Sequence, residues 1–198
     1  MKLKNILLAV ILVSAILACK NDKKTSDTEE QVEIKKEVEK EVVDGSLKEM
    51  SMTISLEPKS DSQVSGTVTF EEKDGYVSIL AKMTGLSAGT HAIHIHQTAD
   101  CSSPDGKSTG GHWNPTAQPH GKWGDATGYH KGDIGNFEVG EDGKGKVSMM
   151  TDEWCIGCGD DTKDILGKAI IVHQGADDFT SQPSGAAGAR VSCAGIIE

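Results

Sequence analysis

Hydrophobic and polar residues alternate along most of the chain after residue 48. The period of two covers three successive segments, whose inward-facing candidates are Met50, Met52, Ile54 and Leu56, then Val64, Gly66, Val68 and Phe70, then Val77, Ile79, Ala81 and Met83. This period is typical of half-buried antiparallel strands. Four later segments, "IGNFEV", "GKVSMMT", "KAIIVH" and "ARVSCAGII", also have strand composition, and no long amphipathic helix separates them. The pattern therefore predicts an all-β sandwich or barrel.

Two long segments interrupt this alternation. Residues 97–133 and 173–190 are rich in Gly, Pro and Ser and show no strand pattern. Loops of such length inside a compact domain are usually either functional or disordered. The first segment contains three histidines, which favours a functional loop: His112, His120 and His130.

The N-terminus has the features of an export signal. Lys2 and Lys4 precede an apolar run over residues 6–18, which is shorter than the roughly 20 residues needed to cross a bilayer. The following "ILAC" resembles the lipobox of bacterial lipoproteins, although Leu17 replaces the usual small residue. We predict a signal peptide over residues 1–18 and lipidation of Cys19. An uncleaved anchor or a plain secretory signal is the alternative, and each takes the chain out of the cytoplasm.

Residues 19–48 are predicted to be a tether. Lys and Glu dominate this stretch and large apolar residues are few, so it cannot bury enough surface to fold alone. Ile34, Val38 and Val42 recur every four residues and leave a short helix possible. Residues 49–198 then form the folded domain. We expect the protein in the cell envelope, periplasmic or at the outer surface, with membrane contact through the lipid anchor alone.

Charge argues against one class of partner. The chain has 20 basic and 30 acidic residues, which gives a net charge of −10. We therefore expect no nucleic acid as a partner.

The stretch "HAIHIHQ" places two histidines on one face of a strand. The strand period puts His94 and His96 together with Ala92, whereas His91 shares the other face with Ile93. The two imidazoles would lie about 7 Å apart and could bind one ion between them. Alone, this pair is a weak signal, because exposed histidine pairs on strands are common and mostly bind nothing.

The remaining histidines strengthen the metal hypothesis. His112, His120, His130 and Asp133 lie in the first long loop, and His173 begins the second. Imidazole suits copper and zinc, and a carboxylate can complete a zinc site. Six histidines and one aspartate are too many ligands for one tetrahedral ion, so the pattern indicates two ions.

Five cysteines are present, and four remain if Cys19 carries lipid. An even number in an exported domain favours disulfides, with three possible pairings. Cys155 and Cys158 form a C-x-x-C motif without a thioredoxin-like context. A local disulfide that braces a surface loop is the favoured interpretation, and an accessory Cu(I) or redox role is the alternative.

Several motifs occur together in a familiar order: "HIH", "GGHWNP", "PHG", "HKGD", "GDIGN", "VHQGADD" and "GARVSCAGII". In these motifs the sequence resembles the copper/zinc superoxide dismutases over roughly residues 49–198. The resemblance implies a Greek-key, immunoglobulin-like β-barrel or sandwich of about eight antiparallel strands with two long functional loops. It also implies an antioxidant enzyme that converts superoxide to dioxygen and hydrogen peroxide, with one copper and one zinc per subunit.

The resemblance assigns a role to each site residue. The implied copper ligands are His94, His96, His112 and His173, and the implied zinc ligands are His112, His120, His130 and Asp133. Asp177 matches the aspartate that links a copper histidine to a zinc histidine, and His91 matches a structural histidine. Cys101 and Cys193 match the disulfide that pins the metal-binding loop to the barrel.

The implied chemistry is alternating reduction and oxidation of the histidine-bound copper, while the structural zinc shares the bridging His112. His112 would supply a proton, and Arg190 would attract and orient the superoxide anion. The loop over residues 173–190 lacks lysine, so steering would depend on Arg190 and on lysines elsewhere, with Lys107, Lys122 and Lys131 as candidates. The chain would be a homodimer or a monomer.

Two other functions fit parts of this pattern. A protein that buffers or delivers copper could use the same fold without turnover, although such a protein is expected to lack a copper ligand or the arginine. A structural β-sandwich would require every histidine motif to be coincidental.

Overall fold

Eight antiparallel strands form the part of the chain that the computed structural model describes, residues 49–197. The predicted signal segment, Cys19 and the tether lie outside the described residues. The strands are β1 (Met50–Pro58), β2 (Ser65–Lys73), β3 (Tyr76–Thr84), β4 (Gly89–His96), β5 (Gly135–Val139), β6 (Gly145–Thr151), β7 (Ala169–His173) and β8 (Arg190–Gly195). Within residues 49–197 no helix has the length and apolar character needed to span a membrane.

The strands form a nearly closed barrel in the order β5-β4-β7-β8-β1-β2-β3-β6. One half consists of β6, β3, β2 and β1, and the other of β5, β4, β7 and β8. Strand β1 joins the halves, because its last two residues pair with β8 at Glu57↔Cys193 and Pro58↔Ser192. The predicted all-β Greek-key fold of about eight antiparallel strands is confirmed.

The core follows the predicted alternation. Val68, Phe70, Ile79 and Ala81 are fully or almost fully buried, whereas Met52 near the start of β1 is partly exposed. Burying one such large apolar side chain contributes about 1.5–3 kcal/mol to stability. The period of two thus aligns one face of each of β1 to β3 with the common core.

Strand β4 departs from this pattern because both of its faces are buried. Residues 91 to 96 are all inaccessible to solvent. Ile93 and Ile95 belong to the hydrophobic core, while His94 and His96 lie on the opposite face under the long loops. His91 Nδ1 donates to the carbonyl oxygen of His173 at 3.0 Å, as expected for a hydrogen-bonded structural histidine.

Three long connections join the strands of the described chain. The two predicted loops are present, and the first contains a single 3₁₀ turn at Lys107–Thr109. A third connection, over residues 152–168 between β6 and β7, was not predicted as a long loop and contains the C-x-x-C motif.

Two disulfides fasten these loops. Cys101–Cys193 joins the first loop to β8 across 92 residues, and Cys155–Cys158 closes a local turn in the third loop. Both pairs named in the sequence analysis are joined in the structure. In the chain-entropy view, a closed loop of the larger size contributes about 4–5 kcal/mol to stability.

Candidate metal centre

Two loop segments that carry candidate ligands pack against the end of β4. Trp113 N donates to the carbonyl oxygen of Ile95 at 2.8 Å, and Ile95 N donates to that of Gly132 at 2.9 Å. A Cβ atom at Gly132 would lie 2.2 Å from the Ile95 carbonyl oxygen, so the close backbone approach requires glycine. These contacts bring the neighbours of Trp113 and Gly132, His112 and Asp133, against the face that carries His94 and His96.

Four buried histidines meet at this face: His94, His96, His112 and His173. We call them the four-histidine cluster. His173 ends β7, which pairs with β4, so the register of the sheet brings its ring to 4.9 Å from that of His94. The His112 ring lies 3.9 Å from that of His94 and 5.0 Å from that of His96, measured between centroids.

Each ring of the four-histidine cluster is anchored through one nitrogen and leaves the other free. His94 Nε2 contacts Asp177 at 2.9 Å, and His96 Nδ1 donates to the Gly110 carbonyl oxygen at 2.9 Å. His112 Nδ1 contacts Asp133 at 2.8 Å. The remaining nitrogens are buried and have no hydrogen-bond partner: His94 Nδ1, His96 Nε2, His112 Nε2 and His173 Nε2.

Unpartnered buried nitrogens are costly unless another group binds them. The four ligand atoms of the cluster lie within 4.8 Å of one another, so one ion could contact them all. A donor set of four imidazoles suits copper among the metals that proteins commonly bind. The four-histidine cluster therefore fits the copper that the motifs imply.

A second buried group, the histidine–aspartate cluster, is built around one carboxylate. Its members are His112, His120, His130 and Asp133. The Asp133 oxygens lie 2.8, 3.0 and 3.3 Å from the Nδ1 atoms of the three histidines, in that order. The Nδ1 atoms of His120 and His130 nevertheless form no hydrogen bond, because the angles to nearby acceptors are unfavourable.

The distances between the Asp133 oxygens and the histidine Nδ1 atoms match those expected between ligands of one ion. In a tetrahedral zinc site with bonds of about 2.0 Å, neighbouring ligand atoms lie roughly 3.3 Å apart. Three imidazoles and one carboxylate are also a donor set that zinc accepts. The histidine–aspartate cluster therefore fits zinc, and His112 contributes Nδ1 to this cluster and Nε2 to the other.

Asp177 links the two clusters from behind. Its carboxylate oxygens contact His94 Nε2 and His120 Nε2, each at 2.9 Å. The Asn136 side chain holds the Asp177 backbone in place, because its Nδ2 donates to the Asp177 carbonyl oxygen and its Oδ1 accepts from Asp177 N, each at 2.8 Å. Gly185 packs against this link, since a Cβ atom there would lie 1.8 Å from an Asp177 oxygen. Such contacts fix the orientation and tautomer of ligand rings.

Burial and neighbouring carboxylates give the histidines of the two clusters different protonation states. Burial lowers the pKa of His112 to about 4 and lowers the pKa values of His96 and His173 well below the ordinary 6.5. Burial acts in the same direction on His120, but the carboxylates of Asp133 and Asp177 raise its pKa to about 9. Three members of the four-histidine cluster are thus neutral and ready to bind metal at neutral pH, whereas His120 carries a proton.

Burial favours protonation of the two aspartates, but their histidine contacts outweigh it. Hydrogen bonds from histidines hold the pKa values of Asp133 and Asp177 well below their ordinary range. Both carboxylates are therefore anionic and available to a cation and to its histidine ligands.

A cavity of about 780 Å³ opens onto the four-histidine cluster and is lined by His96, His112, His173 and Arg190. Arg190 Nη1 donates to the Gly106 carbonyl oxygen at 2.9 Å and to Thr109 Oγ1 at 3.0 Å. These bonds hold one edge of the guanidinium group beside the cavity.

Of the three lysines predicted to steer an anion, Lys107 alone lines this cavity. It pairs with Asp105 at 3.0 Å, which reduces its effect. Lys122 lines a different, smaller pocket. Lys131 forms a partly buried ion pair with Glu153. Steering by Lys122 and Lys131 is therefore not supported by their positions.

Several contacts of the site carried no sequence signal. The Gln182 side chain binds the backbone of His120 through two hydrogen bonds of 2.9 Å, and Asn136 binds that of Asp177. These residues are common in loops, and their partners lie 41 to 62 residues away in the chain.

Comparison with known proteins places the chain in a family. It matches the family model of copper/zinc superoxide dismutase (SODC) over residues 64–196. It is 36% identical over 129 residues to the superoxide dismutase-like protein YojM of Bacillus subtilis, a match that covers 64% of each protein and so less than two thirds of that relative. It is 32% identical over 144 residues to the copper–zinc superoxide dismutase of Deinococcus radiodurans, covering 66% of this chain and 76% of that protein.

Solved structures agree. The crystal structure of a double mutant of a SOD-like protein from Bacillus subtilis, which carries two introduced histidines, is 34% identical, has a TM-score of 0.66, and is matched over 74% of this chain and 97% of that chain. The clock protein EA4 is 29% identical with a TM-score of 0.64, over 78% of this chain and 99% of that chain. The chain therefore belongs to the copper/zinc superoxide dismutase family.

Proposed function

We propose that this protein dismutates superoxide to dioxygen and hydrogen peroxide with one copper and one zinc per subunit. The observation that carries the proposal is the set of unpartnered ring nitrogens in two clusters that share His112. Copper in the four-histidine cluster would accept and return one electron, which redox-inert zinc cannot do. Membership of the family supports the same reaction.

Arg190 is the residue that would bind the substrate. It is a fixed cation on the wall of the cavity beside His112 and His173. A guanidinium group with free N–H groups can attract the superoxide anion and orient it toward the four-histidine cluster. The net charge of −10 makes this local cation more important, because the protein as a whole repels an anion.

His112 is the residue that would handle a proton. Two superoxide ions and two protons give one dioxygen and one hydrogen peroxide, so each cycle must deliver two protons. His112 Nε2 faces the four-histidine cluster without a hydrogen-bond partner, while Nδ1 contacts Asp133 at 2.8 Å. Nε2 could therefore hold a proton while contacts through Nδ1 keep the ring in place.

A protein that buffers or delivers copper is the second candidate function. The relative YojM is named a superoxide dismutase-like protein, which leaves room for family members of another activity. All seven predicted ligands and Arg190 are nevertheless present in this chain, and they lie together at one site. This completeness favours the enzyme.

The deciding experiment measures superoxide consumption by the purified protein, with copper and zinc quantified in the same sample. The proposal expects rapid turnover with both metals bound. We expect His112→Ala to lose at least about 100-fold in rate, because it removes a group from both clusters. The surface variant Glu138→Gln serves as the control. Both metals bound without turnover would contradict the enzyme and support copper buffering.

We also propose that the protein is exported and anchored in the cell envelope through lipidated Cys19. The N-terminal pattern and two disulfides, which persist in oxidising compartments, support this location. Labelling of cells with a fatty-acid analogue should mark the protein and should fail for Cys19→Ser. Label retained in that variant would contradict the anchor.

A further inference from the structure

The connection between β6 and β7 contacts the two chain neighbours of His130, Tyr129 and Lys131, although the proposed function gives it no role. Trp154 in this connection is 1% exposed. Its Nε1 donates to the carbonyl oxygen of Lys131 at 2.9 Å. Lys131 directly follows His130, so this bond fixes the backbone on one side of a predicted zinc ligand.

Glu153 holds the same turn from both sides of His130. Its Oε1 accepts a hydrogen bond from the Tyr129 hydroxyl at 2.5 Å, and its Oε2 pairs with Lys131 Nζ. Tyr129 and Lys131 are the two chain neighbours of His130. One carboxylate therefore binds the residue before and the residue after the ligand.

The surroundings make this contact rigid. Trp123 packs against Tyr129 with a centroid distance of 5.1 Å and against Trp154 at 5.4 Å. The side chain of Glu153 is about one quarter exposed and that of Lys131 about one fifth, at 27% and 19%. An ion pair with this degree of burial is screened less than a fully exposed one.

The part of the connection that follows Trp154 is held in place by its own contacts. Cys155 is joined to Cys158, and backbone hydrogen bonds tie Cys155 to Lys163 and Ile165 at 2.9 and 3.1 Å. The Asp164 carboxylate accepts three backbone N–H groups, those of Gly157, Gly159 and Leu166. Glu153 and Trp154, which we call the brace, thus extend from a fixed loop.

We propose that Glu153 is a positioning residue for zinc: through Tyr129 and Lys131 it holds His130 in the geometry that keeps the ion bound. This inference rests on the zinc site of the proposed function and deepens it. Glu153 touches neither cluster, and its effect reaches the ion through the backbone of residues 129–131. Outer contacts of this kind typically change metal affinity by about 10–100-fold when removed.

The test measures zinc release from the copper- and zinc-loaded protein into excess chelator. We expect Glu153→Ala to release zinc about 10–100-fold faster than the unchanged protein, with copper retained. Glu153→Gln keeps an acceptor for the Tyr129 hydroxyl but loses the charge that pairs with Lys131, so an intermediate rate is expected. Tyr129→Phe removes the other contact and should also be intermediate.

Glu138→Gln is the matched control. Glu138 also accepts a side-chain hydrogen bond, from Thr90 Oγ1 at 2.6 Å, but it lies on β5 outside both clusters. This variant should release zinc at the unchanged rate. Thermal unfolding of the metal-free proteins provides the second readout, because a positioning role predicts similar midpoints for Glu153→Gln and Glu138→Gln.

Equal zinc release by Glu153→Ala and the unchanged protein would overturn the inference. So would a Glu153→Gln protein whose only change is a lower unfolding midpoint without metal. Failure of the proposed function is separable: zinc release that depends on Glu153 in a protein without superoxide turnover would support the positioning role and contradict the enzyme.

Discussion

The four-histidine cluster contains no carboxylate, whereas the histidine–aspartate cluster is organised around Asp133. Both are buried, and both use His112. In the first cluster, burial lowers the pKa values of His96, His112 and His173, so the rings stay neutral. In the second, Asp133 and Asp177 raise the pKa of His120 to about 9.

The difference separates two tasks within one site. An ion in the four-histidine cluster would lie between imidazole rings, without a carboxylate ligand, beside an open cavity where an anion can approach. An ion in the other cluster would have its charge partly neutralised by Asp133, and two of its ligands, His120 and Asp133, do not line that cavity. The first arrangement suits reaction with a substrate, and the second suits structural support of the shared His112.

Removing the charge of Asp133 should have the largest effect on this contrast. Asp133→Asn takes away the one anionic ligand of the histidine–aspartate cluster, so we expect zinc affinity to fall by more than about 100-fold. Copper should remain at the four-histidine cluster, which has no contribution from Asp133 except through His112 Nδ1. Metal analysis after dialysis against a chelator measures both ions. Equal loss of copper and zinc would mean that the clusters do not act separately.

The pH dependence of binding should distinguish the clusters next. Below pH 9 zinc must displace a proton from His120, because its raised pKa keeps it protonated there. Apparent zinc affinity should therefore rise by nearly tenfold per pH unit above pH 7 and level off near pH 9, for a total of about 50-fold. Copper affinity should change little over this range. Chelator competition at several pH values measures the two slopes, and equal slopes would contradict the assignment.

Asp177→Asn tests the link between the clusters. The amide cannot accept from both His94 and His120 through two anionic oxygens, so both rings lose orientation and the pKa of His120 should fall. We expect each metal to bind about 10–100-fold more weakly, with the larger loss for zinc. Isothermal titration calorimetry of the metal-free protein with each metal measures the two affinities. Unchanged affinity for both metals would mean that Asn136 and Gly185 position the rings without the carboxylate charge.

Arg190→Gln should affect the reaction and leave the metals in place. The side chain lines the cavity and contacts Gly106 and Thr109, and it is not a member of either cluster. We expect the rate constant for superoxide to fall about tenfold or more, and its decrease with ionic strength to flatten. Lys122→Gln is the matched control, since Lys122 lies outside this cavity. Metal loss in the Arg190 variant would point to a structural role instead.

Much of this architecture could be predicted because its signals are local or periodic. The alternation from Met50 to Met83 identifies three strands, and the motif order identifies every member of both clusters. The Cys101–Cys193 pairing also followed from the motifs. Each strand or motif occupies a short window of the sequence, and the resemblance to the family supplied which of the distant motifs meet.

Contacts between distant, common residues could not be predicted. Glu153, Gln182 and Asn136 are ordinary polar residues whose roles depend on partners that the fold brings near. Likewise, no sequence signal indicated that Lys131, a candidate for steering the substrate, pairs its charge with Glu153, 22 residues away in the chain. Their roles arise from tertiary contacts between segments that are distant in the chain, which no short motif encodes.

The smallest expected effect concerns the loop that anchors the brace. In Cys155→Ser/Cys158→Ser the hydrogen bonds of Asp164 and of the Cys155 backbone remain, and a disulfide that closes so short a turn contributes only about 2 kcal/mol in the chain-entropy view. We therefore expect a slightly lower unfolding midpoint, zinc release faster by about threefold or less, and unchanged copper content. Cys101→Ser, which opens the 92-residue loop, should lower the midpoint far more. If the double serine variant instead released zinc as fast as Glu153→Ala, the disulfide and not the Asp164 network would be what holds Glu153 and Trp154 in contact with Tyr129 and Lys131.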